Sequence, residues 1–408
     1  HQWHSKGVYQ IPYRCYVTPD LDNLFVGGRI ISSSHVANGT TRVMCTSALG
    51  GEVIGRAASI CLSKGYKPID LVDRDRIGLL QSLLVKNGNF IPGIAVAVED
   101  NLADSAEISV SSVLELDDLP ADGTWFGLDY PIAQLIPVNG KVPVVRMNVK
   151  ADNATRLVME LRSSSKSENY TPDTIDAVLE FDLKKDENEI VADFSYSYAT
   201  PRYAFICLMK NPEISVPMSG RLATGLTAVY NYINPAVSNF GKQVPPEGIG
   251  VEEFEFWCPK RRPESKNIAM SFAPSLASFN SENLRNSYYR PYIGTNAWVA
   301  AFDDARPEVC FKWNGRKQIK TIILYFDTDT DQAMETVQMG HFDACVPTCY
   351  REYIIRDSEG KELYHITGNH QTLNVLELDQ PVTTDAIYVN FVRPCGDVCP
   401  GLMGVYVC

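Results

Sequence analysis

The hydrophobic period of this chain changes near Glu107, and the two periods demand two kinds of fold. Upstream, Leu49, Val53, Ala57, Ile60 and Cys61 fall at helical spacing, with Ser47 as a cap and Gly65 and Pro68 as stop signals, which predicts an amphipathic helix ending near Lys64. A second helix is predicted from Asp73 through an apolar face of Leu79, Leu80, Leu83 and Leu84 to Asn87-Gly88. Downstream, short alternating runs take over at 142–150, 155–162, 177–183, 190–196 and 203–209, the pattern of an antiparallel β-sandwich. The charged stretch KKDENE between Leu183 and Ile190 reads as a hairpin tip.

A Pro- and Gly-bearing region follows, with Pro245-Pro246, Gly248, Gly250 and Lys260-Arg261-Arg262 before Pro263, and marks a boundary. Beyond it strands are predicted at 300–302, 309–313, 321–326, 353–357, 373–378 and 386–392. The expected fold class is mixed, an α/β part followed by two antiparallel β-sandwich domains and mostly β overall. The domains are placed at 1–104, 105–258 and 259–408.

Charge narrows the partners. With 37 basic against 49 acidic residues the net charge is −12, which argues against nucleic acid or an anionic membrane surface. The most continuous apolar run, 90–98, is far shorter than the roughly 20 residues of a spanning helix.

The stretch from Asn23 to Lys64 has the makings of a ligand site. It reads as a strand at 24–26, a Gly27-Gly28 turn, a polar loop carrying Arg29, His35 and Arg42, and a helix whose first turn holds Gly50 and Gly51. Each helical glycine costs about 1 kcal/mol against alanine, so the pair asks for a reason. One reason is an electron-rich group held against unpaired N–H groups at the positive end of the helix. The other is tight packing against a neighbouring element, and both stay open.

The same stretch resembles the C-terminal end of the flavin-binding domain in FAD-dependent oxidoreductases. The residues that carry the resemblance are Asn23-Leu24, Val26 and Gly28-Arg29, then Ser33, His35, Ala37, Gly39 and Arg42-Val43-Met44, then Leu49-Gly50 and Gly55, with flanking matches at 9–16 and 65–93. It implies FAD as cofactor, with Gly28, Arg29, Arg42, Gly50 and Gly51 at the flavin and His35 or Arg42 as catalytic candidates. A positive helix end beside the flavin would stabilise the charge of its reduced form. Two departures stand out. Glu52 puts a carboxylate where the family has a small, Gln- and Ala-rich stretch. No GxGxxG, the family's turn for the ADP half of FAD, occurs in the 408 residues. The expectation is therefore the C-terminal part of a longer polypeptide that alone binds FAD weakly or not at all.

The last segment loosely resembles galactose-binding-like, discoidin-type sandwiches, through Asn296-Ala297-Trp298, the strand at 319–329 and the stretch 388–393. That resemblance implies glycan binding, with Trp298, Asn296 and Tyr292 as carbohydrate-binding candidates. Tyr288, Tyr289, Trp313, Arg290, His341 and His370 could assist, although aromatics in a sandwich are commonly core. Eleven cysteines, six of them after residue 309, leave three readings: a four-cysteine zinc site built on Cys345, Cys349, Cys395 and Cys399, disulfides, or buried thiols. No metal site is assigned. Asp327, Asp329 and Asp331 lack the Gly and Glu of an EF-hand loop, and no HExxH, GxSxG or CxxC motif is present.

The function expected from these features is an FAD-dependent oxidoreductase acting on a carbohydrate-related substrate, with β-sandwich accessory domains, in the periplasm or secreted. The alternatives are a non-catalytic carbohydrate-binding or surface-interaction module and, last, a polysaccharide lyase-like protein.

Overall fold

Residues 9–95, 101–165, 172–231, 242–243, 254–255, 257–259, 266–328, 346–396 and 398–408 are described by a computed structural model of the chain. They fall into two units, Val8–Asp100 and Asn101–Cys408.

The first unit is helical. It contains α1 (His35–Thr41), α2 (Met44–Lys64) and α3 (Arg74–Lys86). Gly65 ends α2 in the left-handed region at φ 69°, with the following Tyr66 N–H on the Cys61 carbonyl, and stands where the sequence predicts the stop. Asp73 caps α3 by accepting the Asp75 N–H at 3.0 Å. Tyr13, Val17, Ala57, Cys61, Leu71, Leu80 and Leu84 form the core. Leu79, predicted on the same apolar face, is 44 % exposed instead, because the buried stripe of α3 is narrower than its run of leucines.

Two local expectations change. Helix α2 begins at Met44, about a turn before the predicted cap at Ser47, because Val43 alone is extended between two helical segments (ψ 147°) and so sets the break. Gly50 and Gly51 consequently lie in the body of α2, where amides bond within the helix, and not in its first turn. The strand predicted at 24–26 shrinks to one antiparallel bridge, Val17↔Phe25, with the Val26 N–H on the Tyr16 carbonyl. The polar loop folds into a 3-10 turn at Gly28–Ile30 and then α1, capped by Ser34.

The second unit is built of strands. In chain order they are β1 (Glu107–Val110), β2 (Leu116–Leu119), β3 (Trp125–Leu128), β4 (Ile132–Val138), β5 (Val144–Ala151), β6 (Thr155–Ser163), β7 (Thr174–Leu183), β8 (Asp186–Ala192), β9 (Arg202–Leu208), β10 (Asn211–Ser219) and β11 (Thr227–Tyr230). There follow β12 (Lys242–Gln243), β13 (Phe254–Glu255), β14 (Cys258–Pro259), β15 (Asn267–Ile268), β16 (Met270–Leu276), β17 (Trp298–Val299), β18 (Glu308–Phe326), β19 (Tyr350–Asp357), β20 (Glu362–Ile366), β21 (Leu373–Pro394) and β22 (Gly401–Val407). The chain as a whole is mostly β, with every strand pair between these elements antiparallel among the described residues.

Three large sheets result. One runs β15-β10-β5-β16-β2, with β3 on β10 and β8 on β5; the next runs β14-β11-β4-β9-β6-β7; the last runs β17-β22-β18-β21-β19-β20, with β1 on β18. Strand pairing crosses the expected boundary at 258/259 in both directions. Strand β1, from the span 105–258, pairs with β18 through Glu107↔Lys312 to Val110↔Val309. Strands β15 and β16, from the span 259–408, pair with β10, β5 and β2. Gln134, fully buried on β4, fixes this crossing: its Nε2 donates to Asn267 Oδ1 at 3.1 Å and its Oε1 accepts the Ile268 N–H at 2.9 Å.

The predicted hairpin tip after Leu183 is a crossover. Strand β7 pairs with β6 and β8 pairs with β5, so the turn carries the chain from one sheet to another. Asn188 shapes it, accepting the Lys184 N–H and donating to the Lys184 and Asp186 carbonyls. In the last sheet, the runs 309–313 and 321–326 are one long strand, β18, paired with β21 through shifts in register at Lys312/Lys317 and Ile319/Thr321.

Candidate functional site

The two glycine pairs of the helical unit divide their labour. An added Cβ at Gly27 would stand 3.0 Å from Ile54 Cδ1 of α2, while Gly28, at φ 66°, has nothing within 4 Å. An added Cβ at Gly50 would stand 2.9 Å from Tyr16 Cε1, while Gly51 is exposed and likewise open. Gly27 and Gly50 are thus packing glycines, and Gly28 and Gly51 offer bare backbone to whatever approaches. The Tyr16 ring packs directly on Gly50. Burial, reinforced by Cys15 and Tyr9, pushes the Tyr16 phenol up.

Arg29, His35 and Arg42 are all exposed. Arg29 sits in the turn that packs on α1 and α2, His35 opens α1, and Arg42 closes it with its N–H on the Asn38 carbonyl, the Val43 N–H following on the Thr40 carbonyl. No hydrogen bond joins the three side chains to one another among the described residues. No side chain caps the start of α2. Its positive end therefore lies at Met44–Thr46, near Arg42, about one turn before the position expected from a cap at Ser47.

Two residues absent from the sequence-based set belong here. Thr41 Oγ1 and Ser47 Oγ are buried without a hydrogen-bond partner among the described residues, one at the end of α1 and the other in the first turn of α2. A buried hydroxyl left unpaired is costly, and two of them beside an uncapped helix start fit a polar group from outside this chain. The Glu52 departure also resolves. Its Oε1 accepts from Arg56 Nε at 2.8 Å and from Asn89 Nδ2 at 3.2 Å, so the carboxylate is neutralised along α2. With bare backbone at Gly28 and Gly51, and with two unpaired hydroxyls and the exposed guanidinium groups of Arg29 and Arg42 among the described residues, these residues fit an electron-rich cofactor edge.

The carbohydrate candidates of the last segment are placed otherwise than the sequence implies. Trp298 is fully buried and donates Nε1–H to the Ser112 carbonyl at 2.8 Å. Asn296 is 9 % exposed, donating to the Arg290 and Tyr292 carbonyls and accepting from Asn286. Tyr292 is 8 % exposed and packs on Tyr288. All three are structural, because the strained loop before β17, with positive φ at Ser287, Ile293 and Asn296, needs internal partners to hold its shape. Tyr289 stacks on Tyr325 at 3.5 Å in space that the missing side chain of Gly404 provides, and Trp313 donates to the Leu102 carbonyl.

Among the cysteines, Cys349 is buried beside Asn369, and burial pushes Cys399 up to about 12. Cys345 lies outside the described residues, as do Asp329, Asp331 and His341. Among the described residues no group of three or more His, Cys, Asp and Glu is placed to hold a metal ion, and no helix is long and apolar enough to cross a membrane. Among the described residues of the β unit, Trp125 is a large exposed aromatic outside the sequence-based candidates, 38 % exposed at the rim of a cleft on the sheet containing β5.

Residues 1–84 match the family model of the FAD dependent oxidoreductases. No curated protein matches the chain. Solved structures similar to part of it include the family 32 carbohydrate-binding module of Streptococcus pneumoniae EndoD (12% identity, 32% of this chain and 86% of that one, TM-score 0.25). Others are the family 32 module of C. perfringens NanJ in complex with galactose (11%, 32% and 85%, 0.24) and a Streptococcus pneumoniae fucose binding module (14%, 32% and 85%, 0.24). At such TM-scores the structural likeness carries no weight for fold or ligand.

Proposed function

We propose that this chain contributes the flavin-side end of an FAD-dependent oxidoreductase acting on a carbohydrate-related substrate, with the β unit as its accessory part, outside the cytoplasm. The observation that carries the reading is the family match over residues 1–84, where Gly28 and Gly51 leave backbone open and Thr41 and Ser47 leave hydroxyls unpaired. FAD, when bound, supplies the chemistry by accepting a hydride from a carbon centre of the substrate.

The chain's own residues do the rest. Gly28 and Gly51 admit a flat group against main chain. The Thr41 and Ser47 hydroxyls orient its polar edge by hydrogen bonding. The first-turn amides of α2 and the Arg42 guanidinium hold negative charge on that edge through fixed dipoles and a permanent cation. Arg29 stands on the rim, and the exposed His35 imidazole is the group able to take a proton from a substrate hydroxyl.

The test is an absorption scan of the intact gene product with FAD added, looking for bands near about 370 and 450 nm. Flavin bands that are lost in Gly51→Val, with the helical content kept, support the reading. Gly50→Val is unsuited to this purpose because it strikes Tyr16. A protein that shows no flavin bands after incubation with excess FAD and removal of the unbound cofactor overturns it.

A further inference from the structure

The outward face of the sheet containing β5 carries a cleft of about 390 Å³. Strand alternation aims its polar lining: Asp118 on β2 stands beside Ser271 on β16, Ser271 beside Arg146 on β5, and Asn148 on β5 beside Glu189 on β8. Neighbouring strands lie about 4.8 Å apart, so carboxylate, hydroxyl and guanidinium follow one another across three strands at that pitch, while the Asn148 amide lies two residues along β5 from Arg146, beside Glu189. Trp125 of β3 lines the same cleft with Pro217 of β10 behind it in register. Lys150 Nζ stands 4.1 Å from the indole centroid and 3.4 Å from Glu187 Oε1, which fixes the ring and leaves it 38 % exposed.

We propose that this cleft binds a neutral saccharide, with Trp125 as the stacking platform. A polyol presents donors and acceptors in alternation around a ring whose C–H faces are apolar, and the cleft offers one exposed aromatic among alternating acceptors and donors. The charges argue for neutrality. Asp118, Glu187 and Glu189 stand against Arg146 and Lys150, and one pair of these is already spent on each other. Burial, against the pull of Arg221, pushes the Asp118 carboxyl up, so the cleft is poor ground for a second carboxylate. A phosphodiester would meet those acids, and a lipid tail would find too little apolar surface. The proposal goes beyond the flavin reading and does not depend on it, since binding here requires no FAD.

The test is calorimetric titration of the full chain with gluco-, galacto- and manno-configured neutral oligosaccharides, beside oligogalacturonate and chitosan oligomers. The expected result is binding of at least one neutral series with a change in tryptophan emission, because among the described tryptophans Trp257, Trp298 and Trp313 are buried and Trp125 is exposed. Trp125→Ala should weaken it about tenfold, the scale of one aromatic contact. Trp125→Phe guards against misfolding by keeping a ring, and should weaken it less. The outward-facing Asn148→Ala and Glu189→Gln should each weaken it several-fold with the melting temperature unchanged. Failure of every neutral series to bind, preference for a charged series, or binding indifferent to all these variants overturns the proposal.

Discussion

In the helical unit Met44 is 83 % and Leu62 87 % exposed, whereas the most exposed large apolar residue described in the β unit, Ile175, reaches 53 %. The cores differ in the same sense. The helical unit closes around a small set from Tyr13 to Leu84, while the last sheet alone buries Trp298, Phe311, Phe326 and Tyr353 among two dozen side chains. Burial of apolar surface is the main stabilising term, so the β unit supports itself and the helical unit holds a thin margin with apolar side chains left in water. The unit that resembles a cofactor domain is also the one with surface to spare for something else, which is the usual state of a ligand-facing scaffold.

That contrast can be broken experimentally. Phe311→Ala, in the fully buried centre of the last sheet, should cost about 3–5 kcal/mol and lower the denaturation midpoint of the β unit, leaving the helical signal of the first unit in place. If both signals move together, the two units do not unfold separately. A smaller effect separates the glycines by sign: Gly50→Ala should destabilise by about 1–2 kcal/mol through its clash with Tyr16, while Gly51→Ala should stabilise by up to about 1 kcal/mol by helix propensity. Equal effects in far-ultraviolet melts would remove the distinction between packing and open glycines.

The smallest effect is electrostatic and belongs to the β unit. Burial raises Asp122, but hydrogen bonds from Lys266 Nζ at 2.7 Å and from Thr124 outweigh it and hold the carboxyl at about 2. A folded value below the unfolded one means stability that is present above about pH 4 and lost as pH falls toward 2. Asp122→Asn should therefore cost about 1 kcal/mol at neutral pH, discounted for partial exposure, and flatten the acid limb of the melting curve. An unchanged acid limb would show that the Asp122–Lys266 pair leaves the β unit's stability untouched.

Much of the architecture is legible in the sequence where one chemical signal dominates. Gly65 and Asp73 punctuate helices through backbone geometry and a carboxylate cap, and both stand where the residues place them. Strands such as β5, with its alternating burial, announce themselves by period two. The strands at 132–138 and 401–407 do not, because they are buried on both faces and show no alternation. Partner choice is invisible for the same reason: nothing local tells β1 that its neighbour is β18. In the site, the Gly28-Arg29 turn is readable from composition, but the division of each glycine pair depends on Tyr16 and Ile54 arriving from elsewhere. Trp125 carries no local mark that separates it from buried Trp298; strand position alone leaves one open and the other enclosed.

The exchange of β1 against β15 and β16 has a consequence for how such a chain can be inherited or cut. A recombination event or an expression boundary at 258/259 would leave the β10–β5–β2 sheet without β15 and β16, and one on the far side of β1 would strip the edge from β18. Each piece would then expose unpaired main-chain groups along a hydrophobic edge, which favours aggregation over folding. The stretch from Asn101 to Cys408 is accordingly a single heritable cassette, and a shuffled relative that keeps half of it should be found insoluble.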